Sequence, residues 1–227
     1  MSQIDWLAMA GVLWLPLLLT AVQAYLWGCF NGAVIVSKYI LRDDVRNHGS
    51  GNAGLTNFYR TFGGPLTVVV ILCDVLKAVA AILISKAAFG LFGGWIGIFG
   101  HMMDAALFAK YWAAVFCLLG HMFPCMFHFK GGKGVLSGGT IALMIDWRVA
   151  LVVWGGFLLL AVLTRYVSLG SVWAGACFPF ASLLVFRDPV IFGLGLILGG
   201  LVVWKHWGNI KRLLSGTESK FTLHKKA

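Results

Sequence analysis

Charge is scarce in this 227-residue chain. Only 11% of its residues are charged and 60% are hydrophobic, whereas charged residues make up about a quarter of a typical soluble domain. Acidic residues are the scarcest, with 8 Asp and Glu against 18 Lys and Arg. Such a composition excludes a water-soluble globule. It predicts a polytopic membrane protein in which residues 1–227 form one integral membrane domain.

Several common catalytic and metal-binding patterns are also absent. The 5 cysteines contain no Cys-x-x-Cys pair, which gives no indication of a zinc site or a disulfide framework. No histidine begins a His-x4-Asp pattern, and the sequence has no Gly-x-Ser-x-Gly elbow and no Walker A loop. We therefore expect no metal, no cofactor and no nucleotide.

What the chain does have is long apolar segments. At about 20 residues per transmembrane helix, we place spans near 12–36, 65–86, 111–129, 134–146, 149–164, 168–186 and 189–205. This arrangement predicts an all-α bundle of about seven transmembrane helices. Segment 134–146 is short enough to be a half-helix, and 134–164 is expected to form a hairpin. The Gly-rich segment 88–103 is predicted to be a loop on the membrane surface. The apolar run after Trp6 is too long for a signal peptide, so the first helix should be retained.

The basic residues fall mainly on one side of this map. Thirteen of the 18 cations occupy alternate loops and the C-terminal tail, and that side carries the whole net charge of +10. Because cytoplasmic loops are rich in Lys and Arg, we expect a periplasmic N-terminus, a cytoplasmic C-terminus and a bacterial inner-membrane location. The cations then need no nucleic-acid partner, membrane lipid is the expected environment, and no obligate protein partner is evident.

Two loops on this basic side are suited to binding an anion. In residues 48–60, glycines leave backbone N–H groups available and Arg60 offers a forked guanidinium. A second stretch, 129–137, combines Lys133 with three glycines before a helix start. The candidates are Ser50, Asn52, Gly54, Thr56, Asn57, Arg60, Lys130, Gly131, Gly132, Lys133 and Gly134.

Two further stretches on that side carry polar residues. If the last span continues as a helix, His206 and Asn209 share a face at the membrane surface, followed by Arg212. Ser168 and Ser171 are each either an anion donor or a helix N-cap. Asp74 and Lys77 lie within the second span, where they form either a structural ion pair or part of the site. Four separated loops that favour phosphate indicate a phosphate ester or a mixed anhydride as the substrate.

These motifs, in this order, resemble the acyl-phosphate-dependent glycerol-3-phosphate acyltransferases of bacteria. The first is Gly49-Ser50-x-Asn52-x-Gly54-x-Thr56-Asn57-x-x-Arg60, the second runs from Gly120-His121-x-x-Pro124 to Phe129-Lys130-Gly131-Gly132-Lys133-Gly134-Val135, and the third is His206-x-x-Asn209-Ile210-x-Arg212-Leu213 with Glu218. Two departures are Leu55, in place of the usual Ala, and Leu136-Ser137, in place of Ala-Thr. Segment 88–105 is also longer than usual.

The resemblance implies transfer of a fatty acyl group from acyl phosphate to the 1-hydroxyl of sn-glycerol 3-phosphate. Its catalytic residues fall on Ser50, Arg60, Lys133, His206 and Asn209. Its substrate-binding residues fall on Asn52, Gly54, Thr56, Asn57, Lys130, Gly131, Gly132, Gly134, Ser171 and Arg212, with Glu218 structural.

The expected chemistry needs no covalent intermediate, because acyl phosphate is already activated and the protein has only to hold two anions together. The proton acceptor is either the donor phosphate or His206. A covalent role for Ser50 is the competing mechanism. An anion transporter and a non-catalytic lipid-binding scaffold are the alternative functions.

Overall fold

The computed structural model describes residues 6–91, 94–98 and 101–221, with the backbone alone for 6–13. Its long helices are α1 (Trp6–Cys29), α4 (Leu66–Gly90), α5 (Ala105–Met122), α7 (Trp147–Thr164), α8 (Val167–Phe186) and α9 (Pro189–Lys205). Its short helices are α2 (Gly32–Ile35), α3 (Leu55–Thr61), α6 (Val135–Ile145) and α10 (Trp207–Leu214). The described residues also contain two strands, β1 (Trp95–Ile98) and β2 (His101–Asp104), and two single 3-10 turns at Val45–Asn47 and Cys125–Phe127.

Length and apolar composition make four of these helices able to cross a membrane alone: α4, α5 with the turn that follows it, α7 and α8. Up to six spans result if two bent helix pairs each count as one. All seven predicted apolar segments contain helix, which confirms a helical membrane protein. A count of seven spans and the sidedness of the termini stay predictions.

The first predicted span is not one continuous helix. α1 ends at Cys29, and a bend of 41° leads into the pair formed by α2 and a wider helical turn at Val36–Ile40. Asn31 causes the restart, because its side chain accepts a hydrogen bond from the Val34 N–H and so caps α2. The bend turns the chain toward the first polar loop.

The last span is also interrupted, contrary to the predicted helical continuation through Asn209. α9 and α10 meet at 57°, with His206 at the break. His206 and Asn209 therefore do not share a face of one straight helix. The bend turns α10 across the end of the bundle, where both residues still reach the same cavity.

The structure separates α6 from α7 at Asp146, as the predicted hairpin requires. Asp146 has an extended backbone and its carboxylate accepts from the Arg148 N–H at 2.8 Å, an N-cap for α7. α6 has only 11 residues, a length of about 17 Å at 1.5 Å per residue. It is too short to span a hydrocarbon core of about 30 Å, as expected for a half-helix.

The loop predicted at 88–103 is wrong for the described part of that segment. α4 continues to Gly90, and β1 and β2 then form an antiparallel hairpin that pairs Trp95 with Asp104. A half-buried ribbon with Ile96 and Ile98 suits extended backbone better than a loop. His101 Nε2 lies 2.8 Å from Asp188 Oδ2 at the start of α9, which ties this hairpin to the bundle.

Glycines bring α1 and α5 into close contact near the C-terminal ends of both helices. A Cβ on Gly28 would lie 2.1 Å from the Cys117 carbonyl oxygen, and one on Gly120 would lie 2.1 Å from the Tyr25 carbonyl oxygen. Only glycine allows backbones to approach this closely. The contact fixes the end of α5, where His121 precedes the second polar loop.

Candidate functional site

A polar cavity of about 280 Å³ lies at one end of the bundle, among the loops after α2, α5 and α9. Twelve of the fifteen residues predicted for the site line it. They are Ser50, Asn52, Gly54, Thr56, Asn57, Arg60, Lys133, Gly134, Ser171, His206, Asn209 and Arg212. The cavity thus brings together residues from all four predicted stretches.

Asn57 holds the first polar loop in shape. Its Oδ1 accepts from the Ser50 N–H at 3.0 Å, and its Nδ2 donates to the carbonyl oxygens of Val45 and His48, also at 3.0 Å each. Asn57 is buried, and these contacts use both of its amide hydrogens. Its side chain therefore positions Ser50, with little capacity left to bind a substrate directly.

Ser50 and Arg60 stand at the outer part of this cavity. Both side chains belong to exposed residues, and both also line the outward continuation of the cavity. Within the described residues, Arg60 makes no ion pair and Ser50 Oγ has no hydrogen-bond partner. A guanidinium left in this state can bind an incoming phosphate.

Lys133 belongs to a chain of polar contacts across the cavity. Its Nζ donates to Asn209 Oδ1, Asn209 Nδ2 donates to Glu218 Oε1 at 2.7 Å, and Arg212 Nε donates to Glu218 Oε2 at 2.7 Å. Burial, followed by the nearby Arg212 charge, lowers the pKa of Lys133 from 10.5 to about 8. Lys133 is thus a cation that an anionic ligand would stabilise.

Glu218 is the acidic end of this chain. Burial alone would raise the pKa of its carboxyl, but hydrogen bonds from Asn209 and Arg212 bring the pKa below its usual value. The carboxylate therefore stays charged and orients Asn209 and Arg212. This geometry fits the structural role that the sequence resemblance implied for Glu218.

His206 is buried at the break between α9 and α10, against the cavity. Its Nδ1 lies 2.7 Å from the Val202 carbonyl oxygen. A carbonyl can only accept, so the ring proton lies on Nδ1, and Nε2 of the neutral ring carries a lone pair. The arrangement leaves Nε2 able to accept a proton.

Ser168 and Ser171, both near the start of α8, line the cavity and differ in their partners. Ser171 Oγ donates to the Val167 carbonyl oxygen at 2.8 Å, a bond within its own helix. Ser168 Oγ is buried close to Glu218 and helps to lower the pKa of that carboxyl. Neither hydroxyl caps the helix. Ser168 is therefore turned toward the polar contacts of the cavity, whereas Ser171 bonds within its own helix.

The glycine loop does not form the anion cradle that its sequence suggests. Gly131 N–H donates to the Met122 carbonyl oxygen at 3.2 Å, and Gly132 N–H donates to the His121 carbonyl oxygen at 3.1 Å. Neither glycine lines the cavity, and the exposed Lys130 does not line it either. Substrate contact by these three residues stays a prediction, and it is one that the described geometry does not favour.

These glycines are needed for close packing. A Cβ on Gly131 would lie 2.0 Å from the His121 carbonyl oxygen, and a Cβ on Gly132 would lie 2.3 Å from His121 Nε2. Gly134 does reach the cavity and has φ of +78°, a left-handed conformation that favours glycine. The loop thus folds back tightly on the end of α5.

A narrow apolar groove of about 40 Å³ lies beside the polar cavity, lined by residues of α5, α6, α7, α8 and α9. The two share Gly134, Val135, Trp154, Phe157 and Ser171 in their walls. Sequence reasoning missed this groove because its residues come from five helices and resemble ordinary apolar packing. The two spaces together have the lining that a ligand with a charged head and an apolar tail requires.

Sequence reasoning also left His121 out of the site, although the second motif contains it. His121 and Asp74 line the polar cavity, and Lys77 lies between them. Lys77 Nζ donates to Asp74 Oδ1 at 2.6 Å in an almost fully buried pair. The pair is thus an ion pair whose acidic member also reaches the site.

Comparison with known proteins supplies a family for this arrangement. The family model described as glycerol-3-phosphate acyltransferase matches residues 18–216. The glycerol-3-phosphate acyltransferase of Thermoanaerobacter pseudethanolicus (strain ATCC 33223 / 39E) is 38% identical over 202 residues, covering 89% of this chain and 94% of that protein. That of Clostridioides difficile (strain 630) is 39% identical over 203 residues, with coverages of 89% and 94%.

Two solved structures are similar as well. Both are crystal structures of PlsY (YgiH), an integral membrane glycerol 3-phosphate acyltransferase. The glycerol 3-phosphate form has a TM-score of 0.77 and 30% identity, covering 91% of this chain and 96% of that one. The lysophosphatidic acid form has a TM-score of 0.73 and 31% identity, with the same coverages.

Proposed function

This chain belongs to the glycerol-3-phosphate acyltransferase family, and from that premise we propose that it uses acyl phosphate as its donor. The fatty acyl group passes to the 1-hydroxyl of sn-glycerol 3-phosphate. The products are 1-acyl-sn-glycerol 3-phosphate and inorganic phosphate, and the reaction is the first step of phospholipid synthesis. Both PlsY structures named above fit this premise, since one is a glycerol 3-phosphate form and the other a lysophosphatidic acid form.

The observation that carries the proposal is the junction of the polar cavity with the apolar groove. Arg60, Lys133 and Arg212 line the polar part, where they balance the charge of two phosphate groups. The groove beside it suits a fatty acyl chain. An acyl phosphate has such a head and tail, and its reactive carbonyl would lie where the two spaces meet.

The protein's contribution is positioning and electrostatic stabilisation. The 1-hydroxyl oxygen attacks the acyl carbonyl carbon, the bond from that carbon to the phosphate oxygen breaks, and phosphate leaves with the bonding electrons. The hydroxyl proton passes to His206 Nε2 or to the departing phosphate. Lys133 and Arg60 stabilise the negative charge on the phosphate groups.

A direct transfer is favoured over a covalent acyl-enzyme. A serine nucleophile needs a base within hydrogen-bond reach, and Ser50 Oγ has no such partner in the described residues. Its N–H is instead fixed by Asn57. Ser50 accordingly acts as a hydrogen-bond donor at the cavity mouth. Trapping of labelled acyl-enzyme with donor alone would contradict this role.

The site is proposed to open toward the cytoplasm of the bacterial inner membrane. Its loops carry most of the chain's cations, the distribution expected for the cytoplasmic side. The phosphate groups of both substrates then enter the site from the aqueous cytoplasm. The whole chain acts as one membrane domain, without a metal or other cofactor.

The test uses the protein purified in detergent with acyl phosphate and glycerol 3-phosphate. We expect stoichiometric release of phosphate and 1-acylglycerol 3-phosphate, with losses of at least about 100-fold for Ser50→Ala and Lys133→Ala, in the range found when a transition-state donor is removed. Lys211→Ala, an exposed neighbour outside the cavity, is the matched control and should keep full turnover. Absence of product, or equal losses in all three variants, contradicts the proposal.

A second experiment addresses the proton acceptor. His206→Ala should lose turnover at every pH between 6 and 8, because it removes the Nε2 lone pair of the neutral ring. If His206→Ala keeps full turnover over that range, the proton goes to phosphate.

The alternative functions give different results. A transporter would carry glycerol 3-phosphate across a vesicle membrane without forming product. A lipid-binding scaffold would bind lipid without transport and without product.

A further inference from the structure

A buried polar cluster, formed by Asp74, Lys77 and His121, lies where α4 and α5 meet the cavity floor. Lys77 is 2% exposed and its Nζ has three acceptors around it. They are Asp74 Oδ1 at 2.6 Å, the Phe30 carbonyl oxygen at 3.1 Å and His121 Nδ1 at 2.7 Å. An ammonium group carries three hydrogens and no lone pair, so each acceptor takes one of them.

This arrangement fixes the tautomer of His121. Because Lys77 can only donate, Nδ1 must be the unprotonated nitrogen of a neutral ring, and the ring proton lies on Nε2. Asp74 Oδ1 lies 3.7 Å from the same Nδ1, too far to accept a hydrogen bond from it. The buried ion pair therefore makes the other edge of the imidazole a hydrogen-bond donor.

The donor edge faces the polar cavity. His121 lines that cavity, and Nε2 has no hydrogen-bond partner in the described parts of the chain. Gly132 leaves it uncovered, because a Cβ there would lie 2.3 Å from Nε2 and 2.6 Å from the Ala53 carbonyl oxygen. A ligand in the cavity that supplies an acceptor would give this N–H the hydrogen bond that the protein does not supply.

We propose that His121 is a further substrate-binding residue, whose Nε2–H donates to a phosphate oxygen in the polar cavity. The inference rests on the proposed function and deepens it. With the Gly131 and Gly132 N–H groups engaged elsewhere, His121 supplies a donor on the side of the cavity where the glycine loop does not. Asp74 and Lys77 are positioning residues, since they act through the ring.

Two substitutions separate this role from a structural one. In His121→Asn, the side-chain oxygen replaces Nδ1 as the acceptor for Lys77, but nothing replaces the Nε2 donor. In His121→Gln, the longer amide places an N–H near the position of Nε2. We expect His121→Asn to lose about 10- to 150-fold in kcat/KM, the equivalent of about 1.5–3 kcal/mol for a hydrogen bond to a charged group. His121→Gln should recover most of that loss.

Two measurements show which substrate phosphate His121 contacts and whether the residue acts in binding or in packing. KM measured for each substrate in turn identifies whether His121 contacts glycerol 3-phosphate or acyl phosphate. Thermal stabilisation of the detergent-solubilised protein by glycerol 3-phosphate, and by a non-hydrolysable acyl phosphonate, measures binding without turnover. If the wild type forms no product, the proposed function fails. The thermal-stabilisation measurements still show in that case whether His121 binds a ligand.

The inference is supported if His121→Asn is folded, binds one of the two ligands at least 10-fold more weakly and is rescued in His121→Gln. It is overturned if His121→Asn retains wild-type kcat/KM and ligand binding. It is equally overturned if both variants lose binding and melting temperature together, since that result indicates packing alone.

Discussion

The pKa of Lys133 gives the account its most quantitative prediction. Burial brings that pKa to about 8, so the residue changes charge within an accessible pH range. About ten of every eleven Lys133 side chains are charged at pH 7, and about one in eleven at pH 9. Because only the ammonium attracts phosphate, kcat/KM for glycerol 3-phosphate should fall about tenfold between these values.

Neither the substrate phosphate nor Glu218 obscures this titration. The second ionisation of a phosphate monoester has a pKa of about 6, so the substrate is a dianion throughout the range. Glu218, with its pKa held below the usual value, stays charged. The dependence therefore has a definite sign, with high activity below pH 8 and declining activity above it.

The assay is initial phosphate release at subsaturating glycerol 3-phosphate from pH 6.5 to 9.5, at constant ionic strength. Lys133→Arg is the matched variant, because a guanidinium remains charged over this range. It should have lower activity at pH 7 but no decline near pH 8. A wild-type profile that is flat to pH 9.5, or a decline that persists in Lys133→Arg, would refute the assignment of the charge to Lys133.

Three further predictions concern the walls of the site. Gly132→Ala should reduce turnover more than 10-fold, because its Cβ would lie 2.3 Å from His121 Nε2. Gly200→Ala is the control, since a Cβ there meets open space and turnover should not change. Phosphate-release assays compare the two variants. Asn57→Ala removes three hydrogen bonds from the loop that carries Ser50. It should lower the free energy of unfolding by about 1–3 kcal/mol, which a lower melting temperature would show. It should also raise the KM for glycerol 3-phosphate. Gly138→Phe should fill the apolar groove, since a Cβ there meets no atom within 4 Å. Turnover should then fall more with a 16-carbon acyl donor than with an 8-carbon one. Equal losses with both donors would contradict binding of the acyl chain in this groove.

The helical membrane fold was predictable because apolar length is a local property of the sequence. The breaks in the helices were not. Asn31 and His206 interrupt apolar runs at points where capping and packing outweigh continuity, and these depend on contacts with other elements. The hairpin that begins at Trp95 was missed for a related reason, since Gly-rich apolar sequence fits a loop and a twisted ribbon equally well.

Part of the site was predictable because the sequence alone identifies its charged and polar residues. Lys133, Arg60, His206 and Asn209 were selected for charge and polarity, and the fold brings them to one cavity. Sequence cannot tell a glycine needed to bind an anion from one needed for a close contact, so the role of the glycine loop stays a prediction. Gly131 serves the contact, and the neighbouring His121 presents its ring to the cavity instead.

The most direct test of the account compares acyl donors under identical conditions. The purified protein receives glycerol 3-phosphate with either palmitoyl phosphate or palmitoyl-coenzyme A, and the lipid product is identified by mass spectrometry. We expect 1-acylglycerol 3-phosphate and an equimolar amount of phosphate from the acyl phosphate, with no product from the thioester. Product from the thioester alone, or from neither donor, would contradict it.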